Sequence, residues 1–351
     1  MNENEIVVGV DRLKDYVAAL FEKAGLHEED GKFSAECLVQ TNLWGVDSHG
    51  VLRAPIYIKR MLSGAINTEP DIRKINGSQA LEVWHGDDGH GFVVAKKAMT
   101  RAIELAKEFN VGVVGVVRSN HFGAASLYTK MAVEAGMVGI MMTNVVPNIV
   151  APGGSKPITG NNPIGVGIPT YGEFPFMLDI SMSNVSGGKL LLAANKGEKI
   201  PTTWATDCDG RPTDDPEKGF AGFLLPIGGH KGLGLSYMVD ILSGIITGGV
   251  FQHGMKGMYK YPDDPSLTGH FMGVINLEAI IGKEMMKAQM NQYHETIKQS
   301  PMWDENAEML LPGELEHRTE KKRLETGIPL TKQLVEELSA LAKELGVEGT
   351  L

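Results

Sequence analysis

A chain of 351 residues, 42% hydrophobic and 22% charged, can bury a large core, and its length suits two domains better than one. Its formal charge of −10 excludes the clustered cationic surface that nucleic acid requires, so an anionic partner must be met by a local site. Apolar runs broken by glycine exclude a bilayer span, residues 1–10 lack a leader pattern, and the isolated Cys37 and Cys208 predict neither disulfide nor zinc, so a cytoplasmic setting is expected.

Leu13, Tyr16, Val17, Leu20 and Phe21 recur at helical spacing and predict a helix over 11–24; a second helical pattern runs over 28–43. Between 80 and 178, β-like runs at 81–84, 111–117, 137–143 and 164–169 alternate with helical stretches. One of these sets Val94, Ala98, Ala102 and Ala106 on a single face. Such alternation predicts an α/β sheet core. Residues 256–265 read as a loop, fit either to cover a site or to connect elements. Thr331 is positioned to cap a last helix with Leu334, Leu338, Leu341 and Leu345 on one face and Gly346 at its end. The expected architecture is a helical module from 1–70 and 313–351, with a mixed-sheet domain of 71–312 inserted into it.

The first chemistry-bearing segment is Asp47-Ser48-His49-Gly50-Val51-Leu52-Arg53. A hydroxyl beside an imidazole relays a proton, and an arginine presents two parallel donors to a carboxylate. In a helix, His49, Arg53 and Tyr57 would share a face, although Pro55 interrupts that geometry. The same pattern also suits a plain turn capped by Asp47 and Ser48. The second segment, 118–125, puts His121 and a Gly-Ala turn between a buried strand and a helix, where helix N-terminal amides hold phosphate; an ordinary strand-to-helix turn fits equally. Gly153-Gly154, 159–163 and 228–234 are glycine-rich, and Lys231 in the last supplies a point charge for phosphate or is merely solvated. None matches a P-loop or a G-x-G-x-x-G fingerprint. Asp179 ends a strand-like run, suited to ribose hydroxyls or to capping a helix. The acidic stretch 207–210 lacks the later ligands of a calcium loop, so no metal is assigned, and the sequons at Asn76 and Asn184 carry no meaning in a cytosolic chain.

Taken in order, D-S-H-G-V-x-R at 47–53, N-H-F-G-A-A at 120–125, G-x-N-P-I at 160–164, G-G-H-K-G-x-G-L at 228–235 and Pro312-Gly313-Glu314 resemble the malate/L-lactate dehydrogenase type 2 family across about 11–330. Its relatives include ureidoglycolate, sulfolactate and 2,3-diketogulonate oxidoreductases and cyclic-imine reductases. The resemblance implies a non-Rossmann fold, a homodimer, a site between the helical module and the sheet domain, and NAD, favoured, or NADP as cofactor. It makes His49 the proton donor with Ser48 as its relay, or His121 as in some members, and pairs Arg53 with the substrate carboxylate. His121, Phe122, Gly123, Ala124, Ala125, Asp179, Ile180, Ser181, Lys231, Gly313 and Glu314 would hold the cofactor.

Asn161 stands where the family commonly has a substrate-touching threonine, which alters substrate size or polarity. Gly187 and Lys189 replace the His and Asp of imine-reducing members, which disfavours their reaction. The expected activity is hydride transfer between nicotinamide and C2 of a malate- or lactate-like 2-hydroxy or 2-keto acid. Alternatives are a ureidoglycolate-, diketogulonate- or imine-type reaction, or a small-molecule-binding protein that kept the scaffold.

Overall fold

A computed structural model describes residues 4–351; the first three residues of the 1–10 segment read above lie outside it. The two opening helices, Val10–Lys23 and Glu28–Leu43, pack face to face through Leu13, Val17, Leu20, Phe21 and Leu38, all fully buried. Both ends of the chain meet here. Strand Glu5–Val8 pairs antiparallel with Ile328–Thr331, and the helix Lys332–Leu345 that follows packs on Val10–Lys23 and on Ala54–Leu62. Thr331 caps this last helix by accepting from the Leu334 amide at 3.2 Å, and Gly346 ends it with φ +68°, the left-handed value glycine tolerates.

The central sheet has seven strands in the order Arg73–Ser78, Leu81–His85, Val111–Ser119, Thr268–Asn276, Met137–Thr143, Ile164–Ile168 and Phe176–Ile180. Only Leu81–His85 and Val111–Ser119 run parallel, joined by the crossover helix Gly91–Phe109; the remaining neighbours are antiparallel. Val94, Ala98, Ala102 and Ala106 form the buried face of that helix, as their spacing predicts. The crossover helix lies so close to the sheet that a Cβ on Gly112 would sit 2.0 Å from the Ala102 carbonyl oxygen.

Two expectations needed extension. Sequence patterning stops the sheet near residue 178, yet its centre is Thr268–Asn276, bonded on both sides. Helices Lys283–Lys298 and Glu314–Thr326 were likewise not foreseen: the first buries no residue and the second only Glu314, so neither carries an apolar stripe. A second small sheet, Ala205–Thr206, Phe223–Leu224, Ile149–Val150 and Pro157–Thr159, has its own apolar cluster with helix Gly187–Lys196, centred on Met182, Leu190 and Ile200. Residues 256–265 form a loop, as expected.

Candidate active site

Helix Glu28–Leu43 ends at Trp44 and Gly45 (φ +81°), and the chain then makes two single 3₁₀ turns, Asp47–His49 and Val51–Arg53. The continuous helical face through His49, Arg53 and Tyr57 is therefore not formed. Pro55 interrupts nothing: it occupies the first turn of helix Ala54–Leu62, where its missing N–H costs no bond. Nor do Asp47 and Ser48 cap a turn. Instead, buried Asn42 donates to Asp47 Oδ1 at 2.5 Å and accepts from the Val51 amide at 2.8 Å, while Arg323 grips both Asp47 oxygens at 2.6 and 3.0 Å. The loop is thus clamped from two helices distant in sequence.

This clamp presents His49. Its Nδ1 lies 3.0 Å from Ser48 Oγ, and Arg53 Nε donates to the Ser48 carbonyl at 2.7 Å. The His49 ring stacks on that of His121 with centroids 5.8 Å apart, so segments 72 residues apart in sequence form one imidazole pair. His121 Nδ1 receives the Tyr57 hydroxyl at 2.6 Å and the Gly123 amide at 3.3 Å. An amide only donates, so Nδ1 accepts and the neutral ring carries its proton on Nε2. Burial, reinforced by the Arg53 charge, pushes His49 down to about 4. Burial also holds His121 well below the usual histidine range, with His49 and Arg53 adding to the effect. Both imidazoles are neutral at pH 7.

Ser48 and His49 form part of one wall of a cleft of about 670 Å³. Gly123, Ala124, Ala125, Asn161, Asp179, Ser181 and Gly313 also line it, as expected of site residues. Arg53, Tyr57 and His121 stand outside its lining and join it through the Ser48 carbonyl, the His49–His121 ring stack and the Tyr57 hydroxyl. Other expected residues are not brought to it. Phe122 is buried edge-on against Tyr128 and His270. Ile180 packs toward the small-sheet cluster, and Lys231 is exposed at the start of helix His230–Asp240, away from the lining. Glu314 is buried and consumed by Lys298, Arg318 and the Leu311 amide; its neighbour Glu316 faces the cleft instead.

Asp179 takes the helix-capping role, one of the two that its sequence position suits. Its carboxylate accepts from the Ser126 amide at 2.8 Å and hydroxyl at 2.6 Å, closing the N-terminus of helix Ser126–Glu134. The amide expected to hold phosphate there already has an anion, favourably placed at the helix dipole. Surrounding protein raises the Asp179 pKa, against the Ser126 bonds that lower it.

The donor set fits a dinucleotide in kind. Lys130 and Lys189 bring cations to the cleft, Ser181 and Ser186 bring hydroxyls, and the Asp179 carboxylate is an acceptor suited to ribose. Sequence reasoning missed Lys130 and the clamp residues Asn42 and Arg323, because a polar residue on a helix reads as solvated until its partner is known. Lys189, which replaces the Asp of imine-reducing members, carries no local sign in the sequence that it faces a cleft.

A neutral imidazole pair beside an arginine, opening on a cleft with mixed cationic and hydroxyl walls, defines an acid–base enzyme for small anions. Residues 8–339 match the model of the malate/L-lactate dehydrogenase family. The chain is 41% identical over 361 aligned positions to malate dehydrogenase of Pyrococcus horikoshii, covering 99% of this chain and 98% of that one. It is 35% identical to ureidoglycolate dehydrogenase (NAD(+)) of Escherichia coli K12 over 77% of each chain. The solved sulfolactate dehydrogenase of Methanocaldococcus jannaschii superposes with a TM-score of 0.92 at 38% identity, covering 98% of both chains. The chain belongs to the malate/L-lactate dehydrogenase family, and it is a hydroxy-acid dehydrogenase dependent on a nicotinamide cofactor.

Proposed function

We propose that the substrate is a malate- or lactate-like 2-hydroxy or 2-keto acid and that His49 moves the proton at its C2 oxygen. The cofactor, when bound, gives or takes the hydride at C2. The observation that carries this reading is the His49 imidazole in the cleft wall, with Nδ1 engaged by Ser48 and Nε2 left for the substrate. Arg53 clamps the substrate carboxylate with its forked donors. Because the Arg53 charge helps depress His49, a carboxylate that neutralises it lifts the imidazole toward a working pKa. Proton donation is thereby tied to substrate binding.

His121 is the second candidate, favoured by the Tyr57 and Gly123 bonds that leave its proton on Nε2. We further assign cofactor contacts to 123–125, Asp179, Ser181 and Gly313, favour NAD over NADP, and read the chain as a cytoplasmic homodimer. Exposed Leu81 and Ile246, which line one apolar groove with Leu242, supply a face for the second copy. The paired chain ends support a helical module of 1–70 and 313–351 around a non-Rossmann domain of 71–312.

The test follows reduced-nicotinamide absorbance with oxaloacetate, pyruvate, sulfopyruvate and ureidoglycolate, using each cofactor. His49→Ala should lower kcat by about 10²–10⁴-fold, the usual worth of a general acid, and His121→Ala by less. The reverse order moves the proton to His121. Turnover of ureidoglycolate alone overturns the substrate class.

A further inference from the structure

We infer that Tyr259 is a resident stand-in for the substrate carboxylate on Arg53, displaced when the acid binds; this rests on the reading of Arg53 as the carboxylate clamp. The Tyr259 hydroxyl accepts from Arg53 Nη1, and the guanidinium carbon lies 5.6 Å from the centre of the Tyr259 ring. The phenol oxygen therefore occupies a donor that a carboxylate would use. It is the weaker ligand, since it brings one neutral acceptor where a carboxylate brings two charged oxygens.

The loop that carries Tyr259 is firmly seated while the Tyr259 side chain faces solvent. Arg60, fully buried, donates to the carbonyls of Tyr261, Pro262 and Asp264 at 3.0, 3.1 and 2.9 Å. It also reaches Ser266 Oγ and Asn120 Oδ1, each at 3.1 Å. Among the described residues no carboxylate pairs with Arg60, so its planar fork is spent on holding this loop against the segment that bears His121. Lys256 and Asp264 close the base of the loop at 2.9 Å. Tyr259 itself is 63% exposed. The displacement is therefore a swing of one side chain over a fixed base, with no melting of the loop.

In the free enzyme the phenol keeps Arg53 partnered; it withdraws when an anion with two oxygens competes. Alcohols and amides that lack a carboxylate lack the second oxygen and do not displace it, so Tyr259 sharpens the preference for acids.

The test is calorimetric binding of oxalate to enzyme saturated with reduced cofactor, comparing wild type, Tyr259→Phe and Arg53→Ala. Phenylalanine keeps the ring and removes the competing oxygen, so oxalate should bind about fivefold tighter, the scale of one modest hydrogen bond. The KM for the keto acid should fall by a similar factor. Unchanged or weaker oxalate binding by Tyr259→Phe, while Arg53→Ala abolishes it, overturns the stand-in role and leaves the clamp intact. Oxalate binding that survives Arg53→Ala overturns the clamp itself.

Discussion

His90 lies outside the cleft lining, in the apolar core beside Tyr57. It is fully buried against Phe21, Tyr57 and Phe92, neither ring nitrogen has a hydrogen-bond partner, and burial pushes it down to about 3. His270, bonded to Thr143 and Ser119, is also pushed to about 3. Both are depressed in the folded chain, so the unfolded chain takes up more protons below its ordinary histidine pKa of about 6.5. Stability is accordingly full above that pH and falls as pH drops toward 3, by up to about 1.4 kcal/mol per pH unit for each group. His90→Phe should flatten this fall: urea midpoints at pH 7.5 and 5 should differ less in the variant than in wild type. Equal differences would remove His90 as a cause. The sequence singles out His49, His121 and Arg53, which the structure brings together, because few residue types are able to transfer a proton or bind a carboxylate. It does not single out Tyr259 and Arg60, because nothing local marks a tyrosine in a loop or an arginine on a helix as a partner of residues some two hundred positions away.

At the scale of elements, apolar period and punctuation carried most of the information. The first helix, the crossover helix and the Thr331-capped helix have clean stripes and form where the stripes predict, whereas Glu28–Leu43 forms as predicted on a buried face that mixes Ser34, Thr41 and Asn42 with Leu38 and Leu43. Thr268–Asn276 escaped because a strand paired on both sides needs no alternation and its two glycines resemble breaks. Gly50 illustrates the opposite case, a glycine whose reason is contact. Its φ of −85° suits any residue, yet a Cβ there would sit 2.2 Å from Asn42 Oδ1. Gly50→Ala should therefore force the His49 loop off its clamp, costing about 1–3 kcal/mol in chemical denaturation and lowering kcat/KM. Full activity with unchanged stability would show that Asn42 yields freely. By contrast, Leu338→Ala, on the buried face of the last helix, should cost about 2–5 kcal/mol and leave KM unaltered.

For the whole molecule, the closing contact is between the chain ends. Ile328–Thr331 completes strand Glu5–Val8, and Leu334, Leu338 and Leu341 lie in the same apolar core as Leu13 and Val17. A chain stopped at Gly327 should expose that core and lose its cooperative thermal transition by circular dichroism; a sharp transition near the full-length temperature would contradict this. The sequence by itself determined what depends on near neighbours: the opening, crossover and closing helices, four strands of the central sheet, the last helix's cap, and the residue types able to handle a proton and a carboxylate. Only the tertiary structure decided that Thr268–Asn276 centres the sheet, that Asp179 caps a helix, that Glu314 is buried in ion pairs and that Lys231 stands apart from the cleft. Local propensity acts over a turn or a strand, whereas a hydrogen bond or ion pair requires a distance of a few ångströms that folding alone sets.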